Sequence, residues 1–325
     1  MGLRIASLGH AVGSRVITNH ELESTMDTTA EWIEQRTGIS ERHVCAEGET
    51  CSSLAAAAGR EALERAGASD VDLTIVATCT PDHLTPATAA YTQHHLGLSG
   101  GAMDINVACA GFVYGLAVGD GLLSTGAMDR VLLVGSEAFS PLIDWTDRST
   151  AILFADGAGA AVLEGVDGRG DLVATDLGND GGLAELIQIR LGSRTPPTTA
   201  TLADGLQYLR MNGREVFRNA VRVVVESSRR CLDKAGLEVG DIDLFVPHQA
   251  NERIIETAAQ RLGLPGERTF VNVGRHGNTS AATIPLALYE AQTDGRLHPG
   301  DRILLCGFGS GMSWASAVVE WSLEP

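Results

Sequence analysis

The sequence is poor in aromatic residues, which make up 5% of the chain, and poor in positive charge, with 24 Lys and Arg against 41 Asp and Glu. The formal charge of −17 repels nucleic acid and anionic membranes, so neither is an expected partner. Any anionic ligand must instead be held by a local cluster of Arg. No run of about 18 apolar residues occurs, which argues against a membrane span. Residues 1–8 read as a strand and lack the basic-then-apolar pattern of a secretory leader, so a cytoplasmic location is expected. The six cysteines (Cys45, Cys51, Cys79, Cys109, Cys231 and Cys306) form no Cys-x-x-Cys pair and have no His at metal-ligand spacing. Neither a disulfide framework nor a metal site is expected from them.

What is present is a chain of 325 residues, 44% hydrophobic and 20% charged, with 38 Gly. That length and composition suit one large globular domain or two closely packed ones, rich in tight turns. A repeat organises it. Arg60-Glu-Ala-Leu-Glu-Arg-Ala-Gly67 precedes the apolar run Asp70-Val-Asp-Leu-Thr-Ile-Val76, and Arg230-Cys-Leu-Asp-Lys-Ala-Gly236 precedes Asp241-Ile-Asp-Leu-Phe-Val246. Each reads as an amphipathic helix stopped by Gly and followed by a strand. A second echo joins Gly126-Ala-Met-Asp-Arg-Val-Leu-Leu-Val-Gly135 to Pro299-Gly-Asp-Arg-Ile-Leu-Leu-Cys-Gly307. The offsets, 169 from Gly67 to Gly236 and 172 from Asp129 to Asp301, agree. A duplicated α/β unit is expected, with residues 1–170 and 171–325 as its halves. Continuous apolar strands alternating with helices predict largely parallel, layered sheets whose strand ends meet at a shared cleft. Residues 190–201 read as an exposed excursion.

Three segments carry candidate chemistry. Met103-Asp-Ile-Asn-Val-Ala-Cys109-Ala-Gly111-Phe112 reads as a strand, a small-residue turn and then a helix over residues 113–123. Cys109 would sit at a helix N-terminus, where the dipole favours thiolate and backbone N–H groups can meet an oxyanion. Taken alone, such a Cys is as readily a small buried thiol. Phe245-Val-Pro-His248-Gln-Ala-Asn251 places a His at the carboxyl end of a strand. Gly274-Arg-His276-Gly-Asn278-Thr-Ser-Ala-Ala282 places an Asn in a Gly-bracketed turn before a helix. Singly, each has a structural explanation, but together they supply a nucleophile and two hydrogen-bonding groups suited to a thioester carbonyl.

Along essentially its whole length the chain resembles the β-ketoacyl-acyl carrier protein synthase III family of thiolase-fold condensing enzymes. The resemblance rests on Asp27-Thr-Thr-Ala-Glu-Trp32-Ile-Glu-Gln-Arg36-Thr-Gly-Ile39, Ala108-Cys109-Ala-Gly-Phe112, Asp147-Arg148 and Phe154-Ala-Asp-Gly-Ala-Gly-Ala-Ala161. It continues through His248-Gln-Ala-Asn251, His276-Gly-Asn278-Thr-Ser280 and Gly307-Phe308-Gly-Ser-Gly311. It implies a duplicated α/β fold layered α-β-α-β-α, no metal and no organic cofactor, and a cytoplasmic homodimer. The implied reaction is decarboxylative condensation of an acyl-CoA primer with malonyl-acyl carrier protein, opening fatty-acid or polyketide synthesis.

In that resemblance Cys109 is acylated, while His248 and Asn278 bind the malonyl thioester carbonyl. Backbone N–H groups of Cys109 and the Gly309-Ser310 region meet the oxyanion, and Phe308 walls off the malonyl carboxylate. Trp32 and Arg148 sandwich the coenzyme A adenine by stacking and cation–π attraction. Thr28, Arg36 and Asn251 lie near the pantetheine or phosphates. Arg214, Arg218, Arg253 and Arg261 would dock the carrier protein, although Glu252 and Glu256 interleave with them. Thr85 stands where acetyl-selective members often place a bulky Phe across the dimer, which points to a longer or branched primer. Ser310 stands where Gly is common and requires an ordinary backbone there.

Two patterns are decoys. Gly97-Leu-Ser99-Gly-Gly101 follows a helix and not a strand, so it is not a hydrolase elbow. Gly307-Phe-Gly309-Ser-Gly311 is followed by the strand-like residues 314–321, so it is not a nucleotide loop. Two alternatives share the fold: a starter-unit acyltransferase or thioesterase that does not decarboxylate, and a non-catalytic partner subunit. Intact His248 and Asn278 disfavour the first, and the presence of Cys109 disfavours the second.

Overall fold

The apolar runs of the sequence become strands covered by helices. The computed structural model describes residues 1–324. Its main elements in chain order are β1 (Gly2–Val12), α1 (Ala30–Thr37), α2 (Cys51–Ala66), β2 (Leu73–Ala77), α3 (Thr88–Leu96), β3 (Gly101–Ile105), α4 (Gly111–Ser124), β4 (Arg130–Glu137) and β5 (Gly157–Val166). There follow β6 (Leu172–Asn179), α5 (Gly213–Ala235), β7 (Leu244–Pro247), α6 (Glu252–Leu262), α7 (Thr283–Thr293), β8 (Arg302–Gly309) and β9 (Ser313–Glu320).

One sheet has the order β1-β5-β4-β2-β3 and the other β7-β8-β9-β6. The plan is the same in both: β2, β4, β5 and β1 neighbour one another as β7, β8, β9 and β6 do. A lone parallel bridge from Phe245 to Thr269 stands beside β7 where β3 stands beside β2. The echoed helices α2 and α5 each end on a left-handed glycine, Gly67 at φ 62° and Gly236 at φ 69°, which frees the chain to turn into the next strand.

The layers follow from the contacts. Helix α2 covers β1, β5 and β4 on one outside, and α5 with α6 behind it covers β9, β6 and β8 on the other. Between the sheets lie α4 and α7, and α4 touches strands of both. The result is the α-β-α-β-α stack expected from the sequence. Central α4 packs closely because Gly111, Gly115 and Gly119 recur every fourth residue. A Cβ on these would meet Ala77 at 2.9 Å, Leu133 at 2.3 Å and Leu163 at 2.8 Å.

The expectation of largely parallel sheets is corrected. Strands β2/β3, β2/β4 and β7/β8 are parallel, but β1/β5, β4/β5, β8/β9 and β6/β9 are antiparallel. Only Ser310–Met312 connects β8 to β9, and a parallel return needs a crossover of about a dozen residues. Apolar runs could not reveal this, because strands covered on both faces read alike in either direction. Both decoys are structural: the Ser99 hydroxyl donates to Asp70 in the turn after α3, and residues 307–309 end β8 while 310 and 311 lie in the turn to β9.

Candidate active site

Cys109 lies in the single tight turn Ala108–Ala110 that feeds α4, and its neighbour Ala108 holds φ at +46°. A non-glycine residue held there is strained, a feature that clusters at functional sites. Cys109 is 8% exposed as a residue, and its thiol is buried. Burial raises its pKa to about 12; the Ser280 hydroxyl lowers it and the Glu137 charge raises it. The expectation of a resting thiolate is therefore corrected: a helix N-terminus is present, but burial outweighs its dipole, and Cys109 rests as a thiol.

His248 follows β7 directly. Its N–H donates to the Cys306 carbonyl at 2.8 Å, its side chain is buried, and burial lowers its pKa to about 3, so the imidazole is neutral. Nδ1 lies 2.7 Å from Thr283 Oγ1. That hydroxyl has one proton and a second acceptor, the Ser280 carbonyl at 2.9 Å. Turned to Ser280, it accepts from Nδ1–H and leaves Nε2 a base; turned to Nδ1, it leaves Nε2–H a donor. The hydroxyl can partner either tautomer.

Asn278 is fixed by its backbone, which exchanges hydrogen bonds with Leu153 and Ala155 at 2.8 and 3.0 Å. Its Oδ1 accepts the Ser280 N–H at 2.8 Å, which orients the amide NH2 for other acceptors. Phe308 packs its ring against His248 with centroids 5.1 Å apart. Gly309 approaches so closely that a Cβ on it would lie 2.6 Å from Cys109 N. Ser310 has no positive φ, as its place required, and its hydroxyl donates to Ile187.

Cys109, His248 and Asn278, drawn from three distant segments, line one cavity of about 840 Å3. Trp32, Arg36, Arg148, Arg214 and Asn251 line it too. The Arg148 guanidinium sits 4.6 Å from the Trp32 ring centroid and donates to the Asp27 carbonyl at 2.7 Å. A base between them needs about 7 Å, two van der Waals gaps, so Arg148 must swing aside to admit one. The Arg36 guanidinium lies 5.7 Å from the same ring. Thr28 has a buried hydroxyl with no protein partner. Asn251 caps α6, accepting from Arg253 N and donating to the Arg36 carbonyl, so both ends of its amide are already engaged.

The basic residues are spread out. Arg214 lines the cavity, Arg253 lies 5.8 Å from the Phe217 ring, Arg218 pairs with Glu215, and exposed Arg261 ends α6. Burial, then Glu256 and Glu34, raise the pKa of Glu252 beside them. Thr85 does not line the cavity of its own chain; it is exposed on a loop beside Leu84, which is 92% exposed. The apolar wall near Cys109 is instead built by Cys79, Phe139, Phe154, Leu209, Ile187 and Ile189, with the Phe139 and Phe154 rings 5.0 Å apart.

The sequence reading missed that wall, and also Thr283, Ser280 as an active-site group, and Glu137. One signal for Glu137 was available: an acid ends the apolar run Val131–Ser136, and the structure buries it completely.

Comparison with known proteins agrees with this geometry. Residues 103–181 match the family model for 3-oxoacyl-[acyl-carrier-protein] synthase III, and residues 232–321 match the model of its C-terminal region. The chain is 50% identical to the β-ketoacyl-[acyl-carrier-protein] synthase III of Roseiflexus sp. (strain RS-1), over 97% of each chain. Among solved structures it is similar to synthase III of Thermus thermophilus, with a TM-score of 0.90, 47% identity and coverage of 98% of this chain and 99% of that one. It is also similar to the Pseudomonas aeruginosa PAO1 enzyme, with a TM-score of 0.93 and 40% identity over the whole of both chains. Relatedness that runs end to end, through the segments that bear Cys109, His248 and Asn278, means that this chain belongs to the β-ketoacyl-[acyl-carrier-protein] synthase III family.

Proposed function

We propose that this enzyme transfers an acyl group from an acyl-CoA primer to Cys109 and condenses it with malonyl-acyl carrier protein, the opening step of fatty-acid synthesis. The observation that carries the reading is the meeting of Cys109, His248 and Asn278 in one apolar-walled cavity. In the first half-reaction His248 Nε2 removes the proton of the buried thiol, and the sulfur attacks the primer thioester. Coenzyme A leaves with a proton, and the acyl group remains on Cys109.

In the second, the malonyl thioester carbonyl receives hydrogen bonds from the Asn278 amide and from His248 Nε2–H. The carboxylate departs as carbon dioxide, and the electron pair of the broken C–C bond becomes the enolate, whose charge those donors stabilise. Phe308 presents an apolar face that disfavours the carboxylate and favours its loss as neutral gas. The enolate carbon attacks the acyl thioester, the oxyanion lies against the Cys109 and Gly309–Ser310 backbone and collapses to the ketone as the C–S bond breaks, and the released sulfur takes up a proton from solvent to restore the thiol. None of these steps calls for a metal or an organic cofactor.

Trp32, Arg148, Arg36, Thr28 and Asn251 are assigned to coenzyme A, and Arg214, Arg218, Arg253 and Arg261 to the carrier protein. Thr85 is assigned to the primer pocket of a partner copy, so the active form is a homodimer, placed in the cytoplasm. Intact-protein mass spectrometry with acyl-CoA and malonyl-acyl carrier protein tests the reading. An adduct on Cys109, absent in Cys109→Ala, with carbon dioxide and β-ketoacyl product is expected. An adduct without carbon dioxide makes the protein a starter-unit acyltransferase instead.

A further inference from the structure

Behind the catalytic groups lies a buried polar network that the reaction as assigned does not use. At its centre is Ser280, fully buried and held at φ +52°. Ser280 and Ala108 are the two non-glycine residues with positive φ among those described. A serine in that conformation is strained, and strain persists only where its surroundings over-determine it. Ser280 is bound on every side: its N–H donates to Asn278 Oδ1 at 2.8 Å, and its carbonyl lies 2.9 Å from the Thr283 hydroxyl that adjoins His248 Nδ1. Its hydroxyl donates to Glu137 Oε1 at 2.8 Å and lies 3.9 Å from the Cys79 sulfur, and its turn packs against the turn Ala108–Ala110 that carries Cys109, whose pKa the hydroxyl lowers. One residue thus touches Asn278 directly, reaches His248 through one hydroxyl and packs against the turn that bears Cys109.

Glu137 anchors this arrangement. Its carboxyl is fully buried and accepts from Thr80 Oγ1 at 2.7 Å, Ser280 Oγ at 2.8 Å, Cys79 N at 3.1 Å, and Thr78 Oγ1 and Cys79 Sγ at 3.2 Å each. No cation pairs with it among the described residues. So many donors on a buried acid make a rigid cradle, and the acid takes the only proton of the Ser280 hydroxyl. The Ser280 oxygen is left with lone pairs facing the neighbouring thiols, Cys79 at 3.9 Å and Cys109 in the adjoining turn, which couples the Cys109 thiol to the positions of the other two groups.

We propose that Ser280, anchored by Glu137, is the positioning residue that registers Cys109, His248 and Asn278 to one another. The proposal rests on the assignment of those three as the reacting groups. That assignment is checked first, in the unsubstituted enzyme, where a missing acyl adduct on Cys109 overturns it independently of any variant.

The variants are Ser280→Ala, Ser280→Gly and Glu137→Gln. Glycine accepts the positive φ and keeps both backbone contacts, so Ser280→Gly folds even where Ser280→Ala does not. Loss of the hydroxyl is expected to lower kcat by about 100-fold, the effect of a misplacement near 1 Å. KM for acyl-CoA stays within about twofold, because the cavity walls are untouched. The distinguishing readout is the pH profile of Cys109 alkylation by iodoacetamide. The titratable groups around this thiol are Glu137, Cys79 and His248. Removing the Ser280 hydroxyl moves the profile to higher pH, and removing the Glu137 charge moves it to lower pH. A merely structural role moves neither. An unchanged kcat in both Ser280 variants, or an alkylation profile that stays in place, overturns the proposal; a shift of Glu137→Gln to higher pH overturns the anchoring role.

Discussion

Replacing Gly309 by Ala probes a close approach in the site. Gly309 sits at φ −163°, extended backbone that any residue adopts, so no conformational strain enters the comparison. What enters is space. The added Cβ would lie 2.6 Å from Cys109 N, 3.0 Å from Ala108 Cβ and 3.2 Å from Cys109 Cβ. Relief to an ordinary contact of 3.4 Å requires the Cys109 nitrogen to move by about 0.8 Å. Neighbouring Ala108 already holds φ +46° and has little freedom to absorb the shift. Overpacking of this kind costs about 1–3 kcal/mol in stability, and a nucleophile displaced by nearly 1 Å loses about 100-fold in rate. The expected result is a Tm lower by a few degrees and kcat/KM for condensation lower by about 100-fold, with Cys109 acylation slowed in parallel. Gly121→Ala is the control: a Cβ there meets nothing within 4 Å, and Ala in a helix interior gains about 0.5–1 kcal/mol over Gly. Its activity stays at the parent level and its Tm rises slightly. If Gly309→Ala keeps kcat/KM within about threefold of the parent, the Cys109–Gly309 contact does not position the oxyanion site and the reasoning fails.

Trp32→Ala removes the ring on which Arg148 rests, and is expected to raise KM for acyl-CoA about tenfold, the loss of roughly 1.4 kcal/mol of stacking, with kcat unchanged. Steady-state kinetics with varied acyl-CoA checks it; a fall in kcat at unchanged KM would remove Trp32 from the ligand site. Thr85→Phe is expected to shift primer preference toward acetyl, by about fourfold for each methylene no longer buried at 0.8 kcal/mol. Since Thr85 is exposed within its own chain, an unaltered chain-length profile in a competition assay would sever it from the primer pocket. His248 carries a pH signature: burial holds its pKa near 3, against about 6.5 in the unfolded chain. The unfolded state binds a proton that the native state refuses as pH falls between these values, so stability is full above 6.5 and declines below it. His248→Gln is expected to flatten the Tm curve between about pH 6.5 and 4.5. That window lies above the range of Glu290, where burial is outweighed by His276, Asn272 and Arg275 together and the pKa falls to about 2. An acid limb of the same slope in parent and variant would show that another group governs it.

The sequence disclosed the places where the chain delivers a side chain, and much less of what surrounds each one. Cys109, His248 and Asn278 were legible because each stands where an apolar strand or a glycine turn ends, and such ends face a common cleft when two halves repeat. The nearly equal offsets of the two echoes, 169 and 172, made the sheet plan legible for the same reason. Strand direction was not legible, since β5 and β9 are buried on both faces and their composition is indifferent to the sense of their neighbours. The protonation of Cys109 was misread because the helix N-terminus is a local feature visible in the sequence, whereas the opposing burial comes from β8 and the opposing charge from Glu137, both remote in the chain. Trp32 and Arg148 lie side by side, and their direct stacking rests on a guanidinium held by the Asp27 carbonyl, a backbone contact with no sequence signature. Ser280 marks the limit most sharply. Its residue type is common in a turn, and its proposed importance lies in one strained φ that aims the N–H at Asn278, the carbonyl at the Thr283 hydroxyl beside His248 and the hydroxyl at Glu137. A motif can record that such a serine is present, but the reason it must be there is a hydrogen-bond geometry assembled by the fold.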